Sequence, residues 1–540
     1  MIFAACFAGV PGVFGSGAPA FAQADLSARI AAETERRLRA EDEAARLRQE
    51  GPGVLADPLN RRDLPAPGGP TILLSSIPFT TASAFLSEPE LEAIRARYVG
   101  RTVDFSQLSE IVRDVNDLYA EKGVVTAAAV LAPQDLDGGN FVITLVEGQV
   151  GVVGVVGAEQ IGPDFILNRV RFARDTTVDV PTAARDISYF NQTNRAKIRL
   201  LLQPGAAFGL TDLVFGISEP EPKQLQFFLD NNGVASTGDI RGSMIFRRYG
   251  GLGVDDTFLL YLEGTEGSKS ATARFDFQFN PSGTRIAFSG ALSDYRVVAG
   301  PSVALNLTGR ARSASVTVTQ PLIATDSFLL QMSASAFEGA SASFSAGVPL
   351  VNASTSKFSA GISIGAFGDN WSLGAQVQAI SATVKDKIAG SSSSHNILAG
   401  SLDGVYRFQN EITFIARGSW QYSEDSLLPG GLLFQIGGPT TVRGFPSDGV
   451  AGDSGYYANL ELHRAFSLQD RPITGFVFTD IGEVFSTFPA STTLISSGMG
   501  VSYVHNKSSR FDIVAATPLR RALANQSGLT VSATLTFTRF

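Results

Sequence analysis

From Lys223 onward, apolar and polar residues alternate in runs of about ten, separated by Gly, Ser, Asn and Asp. In one such run, Phe275, Phe277 and Phe279 alternate with polar residues. A period of two is typical of strands that have one apolar and one polar face. Residues 223–540 have room for about 16 such strands and predict a transmembrane antiparallel β-barrel. An array of soluble β-sandwiches is the alternative, but the segment contains no cysteine and no clear subdomain break.

Ahead of this region, the pattern changes between periods of two and 3.6 in an order that occurs twice. Residues 71–148 predict strand, helix, helix, strand, strand, and the first strand is expected over Ile72–Phe79. Residues 149–222 repeat the order, with helices expected over Gly162–Phe172 and Pro181–Asn191. Two tandem α+β domains are therefore expected before the barrel.

The N-terminal residues predict a signal for export, a charged helix and a linker. Residues 1–22 are apolar, lack acidic side chains and end in Ala20-Phe21-Ala22, which predicts a signal peptide. Residues 23–50 predict a charged helix whose apolar stripe is too thin for a core of its own, so we expect it in solvent or as a plug in a polar cavity. Residues 51–70 are rich in Pro and Gly and predict a flexible, partly extended linker.

Charge and hydropathy exclude two classes of protein. The 43 basic and 51 acidic residues give a net charge of −8, which argues against a surface that binds nucleic acid through its phosphates. No run of about 18 apolar residues follows the N-terminal segment, so a bundle of membrane-spanning helices is not expected. The apolar residues are dispersed along the chain, as a β-barrel requires.

Residue types that carry catalysis or metal binding are not clustered in the sequence. His395, His463 and His505 are far apart, without a carboxylate or Cys at ligand spacing, and are expected on the surface or in loops. The sequence Gly250-Gly251-Leu252-Gly253 lacks the Lys-Ser/Thr of a phosphate-binding loop, and the G-x-S-x-G motif of hydrolases does not occur. We therefore expect no metal, no cofactor and no enzymatic activity.

Two segments of the barrel place charges where a barrel strand rarely has them. Residues 437–445, GGPTTVRGF, are typical of a loop, and residues 476–482, FVFTDIG, are typical of a strand. If Phe478 faced lipid, Asp480 would face it too, so we expect either a bulge or a lumen-facing position. An ion pair between Arg443 and Asp480 would hold the loop inside the pore, whereas two unrelated charges are the alternative.

These segments resemble motifs of the POTRA-barrel outer-membrane superfamily. GGPTTVRGFPSDGVAGDSGYYANLEL resembles its signature loop, with a V-R-G-F/Y tip, and FVFTDIG resembles its F-x-D-x-G strand motif. The two α+β units resemble POTRA domains, and LLLQPG followed by GLTDL resembles the end of a second POTRA domain. Over essentially the whole mature chain, the sequence resembles the ShlB/FhaC/HecB family of two-partner secretion (TpsB) transporters.

The resemblance implies two groups of site residues. The loop motif consists of Val442, Arg443, Gly444 and Phe445, and the barrel-wall motif consists of Phe478, Asp480 and Gly482.

The resemblance also implies a function. The protein would be an outer-membrane translocator of a Gram-negative cell that recognises an unfolded partner exoprotein through periplasmic POTRA domains and secretes it through the pore. The barrel implies contact with outer-membrane lipids. The terminal Phe540 fits an assembly signal, which implies the barrel assembly machinery as a further partner. One alternative is an assembly or insertion factor for other outer-membrane proteins. A passive channel is the other, although it would need neither POTRA-like units nor the loop.

Overall fold

A computed structural model describes residues 54–55, 70–172, 176–207, 209–251, 255–468, 471–485, 491–523 and 526–540. The expected signal peptide and plug helix lie outside these ranges. Among the helices within them, none combines the length and the apolar character needed to cross a membrane.

The first α+β unit comprises two helices packed on short strands. Its elements are β2 (Ile72–Leu73), α1 (Glu88–Tyr98), β3 (Thr102–Val103), α2 (Phe105–Glu121), β4 (Ala127–Val130) and β5 (Thr144–Glu147). The apolar face of α2 carries the fully buried Ile111 and Val115, which join Leu74 and Phe141 in one core. Burial of this face stabilises the unit, since helices of this length are marginal on their own.

The first predicted strand is shorter than expected. Strand β2 ends at Leu73 and pairs with β3, a strand that the sequence did not predict. Beyond it, Ser76 and Phe79 form only isolated parallel bridges, to Asn140 and Ile143. Pro78 lies between them and has no N–H to donate, which interrupts a continuous ladder.

The second unit has a four-stranded sheet, and its chain begins with β6. Its elements are β6 (Gln149–Val156), α3 (Pro163–Leu167), α4 (Val180–Thr193), β7 (Lys197–Pro204) and β8 (Leu210–Ser218). The prediction that a helix runs to Phe172 was wrong, because α3 ends at Leu167. Beyond that point Val170 turns into the core, and the Arg169 guanidinium lies 3.5 Å from the ring centre of Phe165.

Part of the expected linker belongs to this sheet. Val54–Leu55 form strand β1, which pairs in parallel with Leu200 and Leu201 of β7. The sheet order is therefore β1-β7-β8-β6. The prediction of a flexible linker is wrong at these two residues, which are extended and paired.

Sixteen antiparallel strands within the described residues close into a barrel, as the sequence predicted. They are β9 (Lys223–Asp230), β10 (Arg241–Tyr249), β11 (Thr257–Gly264), β12 (Ser268–Gln278), β13 (Arg285–Arg296), β14 (Leu307–Ala324), β15 (Phe328–Ser345), β16 (Val348–Phe367), β17 (Trp371–Asp386), β18 (Ser391–Arg407), β19 (Ile412–Ser423), β22 (Ser454–Leu468), β23 (Arg471–Phe485), β24 (Thr492–Asn506), β25 (Ser509–Pro518) and β26 (Thr530–Arg539). Strand β9 pairs with both β10 and β26 and closes the barrel.

Residues 424–453 connect β19 to β22 and form the segment that we call the long loop. It contains a small hairpin of β20 (Phe434–Ile436) and β21 (Val450–Gly452), which pair in antiparallel fashion. The hairpin contacts β22 and β23, and residues 437–449 form its tip.

Candidate functional site

The tip of the long loop needs glycine at its first two positions. Gly437 and Gly438 have φ angles of 116° and 85°, a region that side chains with a Cβ rarely adopt. The Thr441 hydroxyl accepts a hydrogen bond from the backbone N–H of Gly437 at 2.7 Å and donates to its carbonyl at 2.8 Å. This closed turn presents the following residues, 442–445, to the wall of the barrel.

Arg443 is bound to Asp480 by three hydrogen bonds. Its backbone N–H donates to Oδ2 at 3.0 Å, its Nε donates to the same oxygen at 2.8 Å, and its Nη2 donates to Oδ1 at 2.7 Å. The Asp480 side chain is 0% exposed. A planar guanidinium matches a carboxylate in this two-pronged geometry. One carboxylate therefore fixes both the main chain and the side chain of the loop tip.

Further side chains of the wall enclose the same guanidinium. Its Nη1 lies 2.7 Å from Oε1 of Glu461, and its Cζ lies 3.5 Å from the ring centre of Phe478. Glu461 in turn binds Nε2 of His463 at 2.6 Å. Two carboxylates and an aromatic face thus surround one cation, an arrangement that compensates for its removal from bulk water.

The wall motif lies on the lumen side of β23. Phe478 and Asp480 are buried, whereas Val477, which precedes Phe478 on the strand, is 53% exposed on the outer face. The pairing of β22 with β23 is continuous, with Asn459 opposite Asp480 and Glu461 opposite Phe478. Of the two expectations for Asp480, the lumen-facing position is the one found, without a bulge.

The remaining motif residues fit the loop against the wall. A Cβ at Gly482 would lie 3.0 Å from Cγ2 of Val442, so glycine leaves the space that this valine fills. Val442 and Phe445 are buried in a cluster with Ile436. Gly444 has a φ of 85°, and its carbonyl accepts a hydrogen bond from Thr530 of the last strand at 3.2 Å.

The sequence interpretation missed three wall residues on β22. Asn459 donates to the Thr441 carbonyl, Glu461 binds Arg443, and His463 binds Glu461. Their signal is the alternation of polar residues with Leu460 and Leu462, whose exposed side chains lie on the opposite face of the strand.

The prediction of loop positions is wrong for all three histidines, whereas the prediction of a surface position is confirmed for His505, which is exposed. His395 lies in β18, His463 in β22 and His505 in β24. His395 contacts Asp425 at 3.2 Å, and the His463 ring stacks on Phe476. In the part of the chain that the structure describes, no group of three or more His, Cys, Asp or Glu residues could hold a metal ion.

A second buried cluster joins the second α+β unit to the barrel. Asp255, in the turn between β10 and β11, has a φ of 52° and a side chain that is fully buried. Its Oδ1 accepts the backbone N–H groups of Arg195 and Ala196 at 3.0 and 3.1 Å, and the Tyr249 hydroxyl at 3.0 Å. Its Oδ2 lies 2.7 Å from Nη1 of Arg285. The Asp255 side chain, in a turn of the barrel, thereby holds the main chain of the second α+β unit.

Helix α4 rests on further turns at the same end of the barrel. The Tyr189 hydroxyl donates to the Ser282 carbonyl at 2.8 Å, in the turn between β12 and β13. Ser188 donates to Asp326, in the turn between β14 and β15. The second unit is therefore fastened to three consecutive turns of the barrel rim.

Comparison with known families agrees with this architecture. The family described as haemolysin secretion/activation protein ShlB/FhaC/HecB matches residues 209–503, more than half of the chain. The chain belongs to this family. A POTRA domain of ShlB type matches residues 72–148. The resemblance seen in the sequence is thus confirmed, and the protein is a member of a family of outer-membrane β-barrel transporters.

Two curated relatives share parts of the sequence. The heme/hemopexin transporter protein HuxB of Haemophilus influenzae is 24% identical over 249 residues, which are 45% of this chain and 43% of HuxB. The outer membrane transporter CdiB of Escherichia coli is 25% identical over 209 residues, which are 38% of this chain and 35% of that protein. The matched region therefore spans less than half of either relative.

Solved structures extend the likeness of the fold to nearly the whole chain. CdiB from Escherichia coli superposes with a TM-score of 0.68 at 18% identity, covering 95% of this chain and 98% of that one. BamA from Haemophilus ducreyi, lacking POTRA domains 1–3, superposes with a TM-score of 0.53 at 12% identity, covering 87% of this chain and all of that one. At these identities the likeness concerns the fold alone.

Proposed function

We propose that this protein is the outer-membrane translocator of a two-partner secretion system. POTRA domains in the periplasm would capture one large, unfolded exoprotein, which would leave the cell through the barrel. The observation that carries the proposal is the long loop held inside the lumen by Arg443 and Asp480, in a chain of the secretion/activation family. A lumen that contains a fastened loop is suited to regulated passage of a polypeptide rather than to free diffusion of solutes.

The domain boundaries are part of this proposal. Residues 71–148 would form the first POTRA domain, residues 149–222 the second and residues 223–540 the barrel. Residues 1–22 would be the signal peptide, residues 23–50 the plug helix and residues 51–70 the linker. The family match at 72–148 supports the first boundary, and the second unit, with two helices beside a sheet, supports the next.

The two motifs would act together in this function. Val442, Arg443, Gly444 and Phe445 would place the loop, and Phe478, Asp480 and Gly482 would receive it on the wall. Folding of the client outside the cell would supply the driving force for its passage. The outward apolar side chains would contact outer-membrane lipids, and the barrel assembly machinery would insert the barrel.

Deletion of the gene tests the proposal. We expect one large protein to disappear from the culture supernatant while the protein content of the outer membrane stays unchanged, and the intact gene supplied in trans should restore secretion. A general loss of outer-membrane proteins would identify an assembly factor instead. If both fractions stayed unchanged while uptake of small solutes decreased, the protein would be a passive channel.

A further inference from the structure

Four cationic side chains share one region of the outer surface of the barrel. Lys269 lies near the start of β12, Arg296 at the end of β13, and Arg310 and Arg312 near the start of β14. All four are exposed. On β14 the two arginines are in phase with Val316, an apolar side chain that is 38% exposed on the outer face. We call these four residues the basic patch.

The strand register brings the members of the basic patch close together. Lys269 pairs with Asp294 of β13, which in turn pairs with Arg310 of β14. These three outward side chains therefore form one row across three strands. Arg296 lies one row beyond Asp294, and Arg312 lies one row beyond Arg310 in the opposite direction along the barrel. Because neighbouring strands are about 4.8 Å apart, one lipid headgroup can reach all four cations.

The positive charge of the basic patch is not neutralised by the surface around it. The acidic side chains on the outer face of β12–β15 are Asp294 and Glu338, against the four cations of the patch. Within the described ranges, no carboxylate lies within 4.0 Å of any of the four cationic groups. Arg310 instead has its Cζ 6.0 Å from the ring centre of Phe344. The patch can therefore accept anionic groups from outside the chain.

The basic patch lies one membrane thickness from the opposite rim of the barrel. On β12, Lys269 precedes the exposed Phe279 by ten positions, and on β14, Arg312 precedes the exposed Leu322 by ten positions. Ten residues of a strand tilted by about 40° span about 25 Å along the membrane normal, which is the height of the apolar band of such barrels. The second α+β unit binds the turns that follow β12 and β14. The patch is therefore at the edge of the apolar band that faces away from this unit.

The surface next to the basic patch, toward the middle of the band, is shallow. Four of its outward positions carry no side chain beyond Cβ: Ala271, Ala273, Gly290 and Ala314. Leu292, which is 62% exposed, projects from this surface. Acyl chains can lie against the small residues on either side of Leu292 while their headgroup stays at the cations.

We propose that the basic patch binds an anionic glycolipid of the outer leaflet whose sugar headgroup carries phosphate groups. Basic side chains at a membrane boundary attract anionic headgroups. Arginine offers phosphate oxygens a two-pronged donor, and lysine offers a compact point charge. A phosphorylated sugar headgroup is broader than that of a phospholipid with a single phosphate, and it suits cations spread over three strands. The inference rests on the proposed function for the orientation of the barrel, which puts the patch at the outer leaflet.

Lipid binding to the full-length protein in detergent micelles tests the site. The probe is bis-phosphorylated lipid A, and its control is the same lipid after enzymatic removal of its phosphates. Native mass spectrometry should show saturable binding of the first lipid and at least tenfold weaker binding of the second.

A matched pair of variants locates the bound lipid. Lys269→Gln/Arg310→Gln/Arg312→Gln should weaken binding of lipid A at least tenfold. Lys223→Gln/Arg248→Gln is the control, because these two exposed cations pair across β9 and β10 at the other rim, and it should bind lipid A like the parent protein. The mobility of unheated samples on denaturing gels checks that both barrels are folded. Equal binding of the dephosphorylated lipid, or equal loss of binding in the two variants, would overturn the proposal.

Competition distinguishes the glycolipid from other sources of phosphate. A tenfold excess of phosphatidylglycerol or of inorganic phosphate should leave lipid A bound, whereas the same excess of unlabelled lipid A should displace it. Displacement by phosphatidylglycerol or by inorganic phosphate to the same extent would make the patch a general anion surface and would contradict the assignment.

Secretion measured in cells separates this inference from the proposed function. If deletion of the gene abolishes secretion but the parent protein and the triple variant bind lipid A equally, the patch is not a lipid site and the translocator function stands. If the patch binds lipid A but deletion leaves secretion intact, the translocator function fails and the lipid site stands.

Discussion

The carboxylate of Asp480 binds Arg443 through both its backbone N–H and its guanidinium. The contact joins the tip of a loop to a barrel strand, so the loop cannot leave the wall without exposing a buried charge. The second carboxylate, Glu461, makes the arrangement asymmetric, because Arg443 has two anionic partners and Asp480 has one cation.

Substitution of Arg443 is expected to release the loop. Arg443→Ala leaves Asp480 buried without its cation and Glu461 with only His463 and the more distant Arg417, which destabilises the docked loop by roughly 3–5 kcal/mol. Asp480→Ala should have a smaller effect, because Arg443 keeps Glu461. Secretion should decrease while the barrel stays inserted, and the loop should become sensitive to protease added from outside the cell.

A double variant tests whether the two motifs act as a pair. Arg443→Ala/Asp480→Ala should be no worse than Arg443→Ala, because it also removes the unpaired carboxylate. Arg443→Lys should restore only part of the secretion, since an ammonium group lacks the two-pronged geometry. Arg417→Ala is the control, because Arg417 is partly exposed and 4.0 Å from Glu461. Additive losses in the double variant would contradict the pairing.

Substitution of Gly482 should displace the loop without removing any charge. A Cβ at this position meets Val442 and Ile436, so Gly482→Val is expected to push the tip away from the wall and to increase protease sensitivity of residues 437–449. Gly242→Val in strand β10 is the matched control, since nothing lies within 4 Å of a Cβ there. Equal sensitivity of the two variants would show that the close packing is unimportant.

The barrel and the Arg443–Asp480 pair could be predicted from the sequence for a physical reason. A strand alternates its side chains strictly, so the phase of Phe478 already required a special environment for Asp480. The same rule could have identified Glu461, which shares a strand face with Asn459. Loop residues such as Arg443 follow no such period. The pairing of Arg443 with Asp480 therefore had to be inferred from the chemistry of the two side chains and from the family motif.

The early end of α3 and the rim contacts of the second unit could not be predicted in this way. Helix α3 ends where Val170 turns into the core, which is a tertiary effect that the local pattern does not contain. Asp255 lies in a turn and binds Arg195, which is 60 positions away. Neither periodicity nor composition relates these residues, because the contact exists only after both units have folded.

The first unit should contain an acid-sensitive contact at Glu90. Hydrogen bonds from Lys122 and then from Ser87 lower the pKa of Glu90 from its ordinary value of 4.5 to about 2. Because the folded pKa lies below the unfolded one, this stabilisation is present above about pH 4.5 and is lost as the pH falls toward 2. Hydrogen exchange at the start of α1 should therefore accelerate as the pH falls from about 4.5 to about 2, after correction for intrinsic rates.

Two variants check the assignment of this acid response. Glu90→Gln should remove the pH dependence of exchange, whereas Glu92→Gln on the same helix, whose partner is Arg95, should retain it. An unchanged response in Glu90→Gln would assign the effect to another group.

The charged segment 23–50 is expected to occupy the lumen at rest. The sequence predicts a helix without a core-sized apolar face, and three residues after it strand β1 pairs with the second unit, which is fastened to the barrel rim. Deletion of residues 23–50 should raise single-channel conductance in planar bilayers. Deletion of an equal length from a flexible surface tag serves as the control, and unchanged conductance and open time would argue against residence in the pore.

The Asp255 cluster should set how rigidly the second unit is attached to the barrel. Asp255→Ala removes the acceptor of the Arg195 and Ala196 backbone N–H groups and leaves the buried Arg285 with Asp276 as its acidic partner. Breaking such a buried pair costs roughly 3–5 kcal/mol.

Spin labels measure this attachment directly. Leu167 of the second unit and Phe408, in the turn between β18 and β19, are both exposed and suit a cysteine label. The distance distribution between them should be narrow in the parent protein and broad in Asp255→Ala. Ser188→Ala, which removes the hydroxyl that contacts Asp326 and the Ala184 carbonyl but no buried charge, should stay close to the parent distribution. If the distance distribution in Asp255→Ala were as narrow as in the parent protein, the turn contacts of α4 alone would hold the second unit. Its position at the rim would then not depend on Asp255.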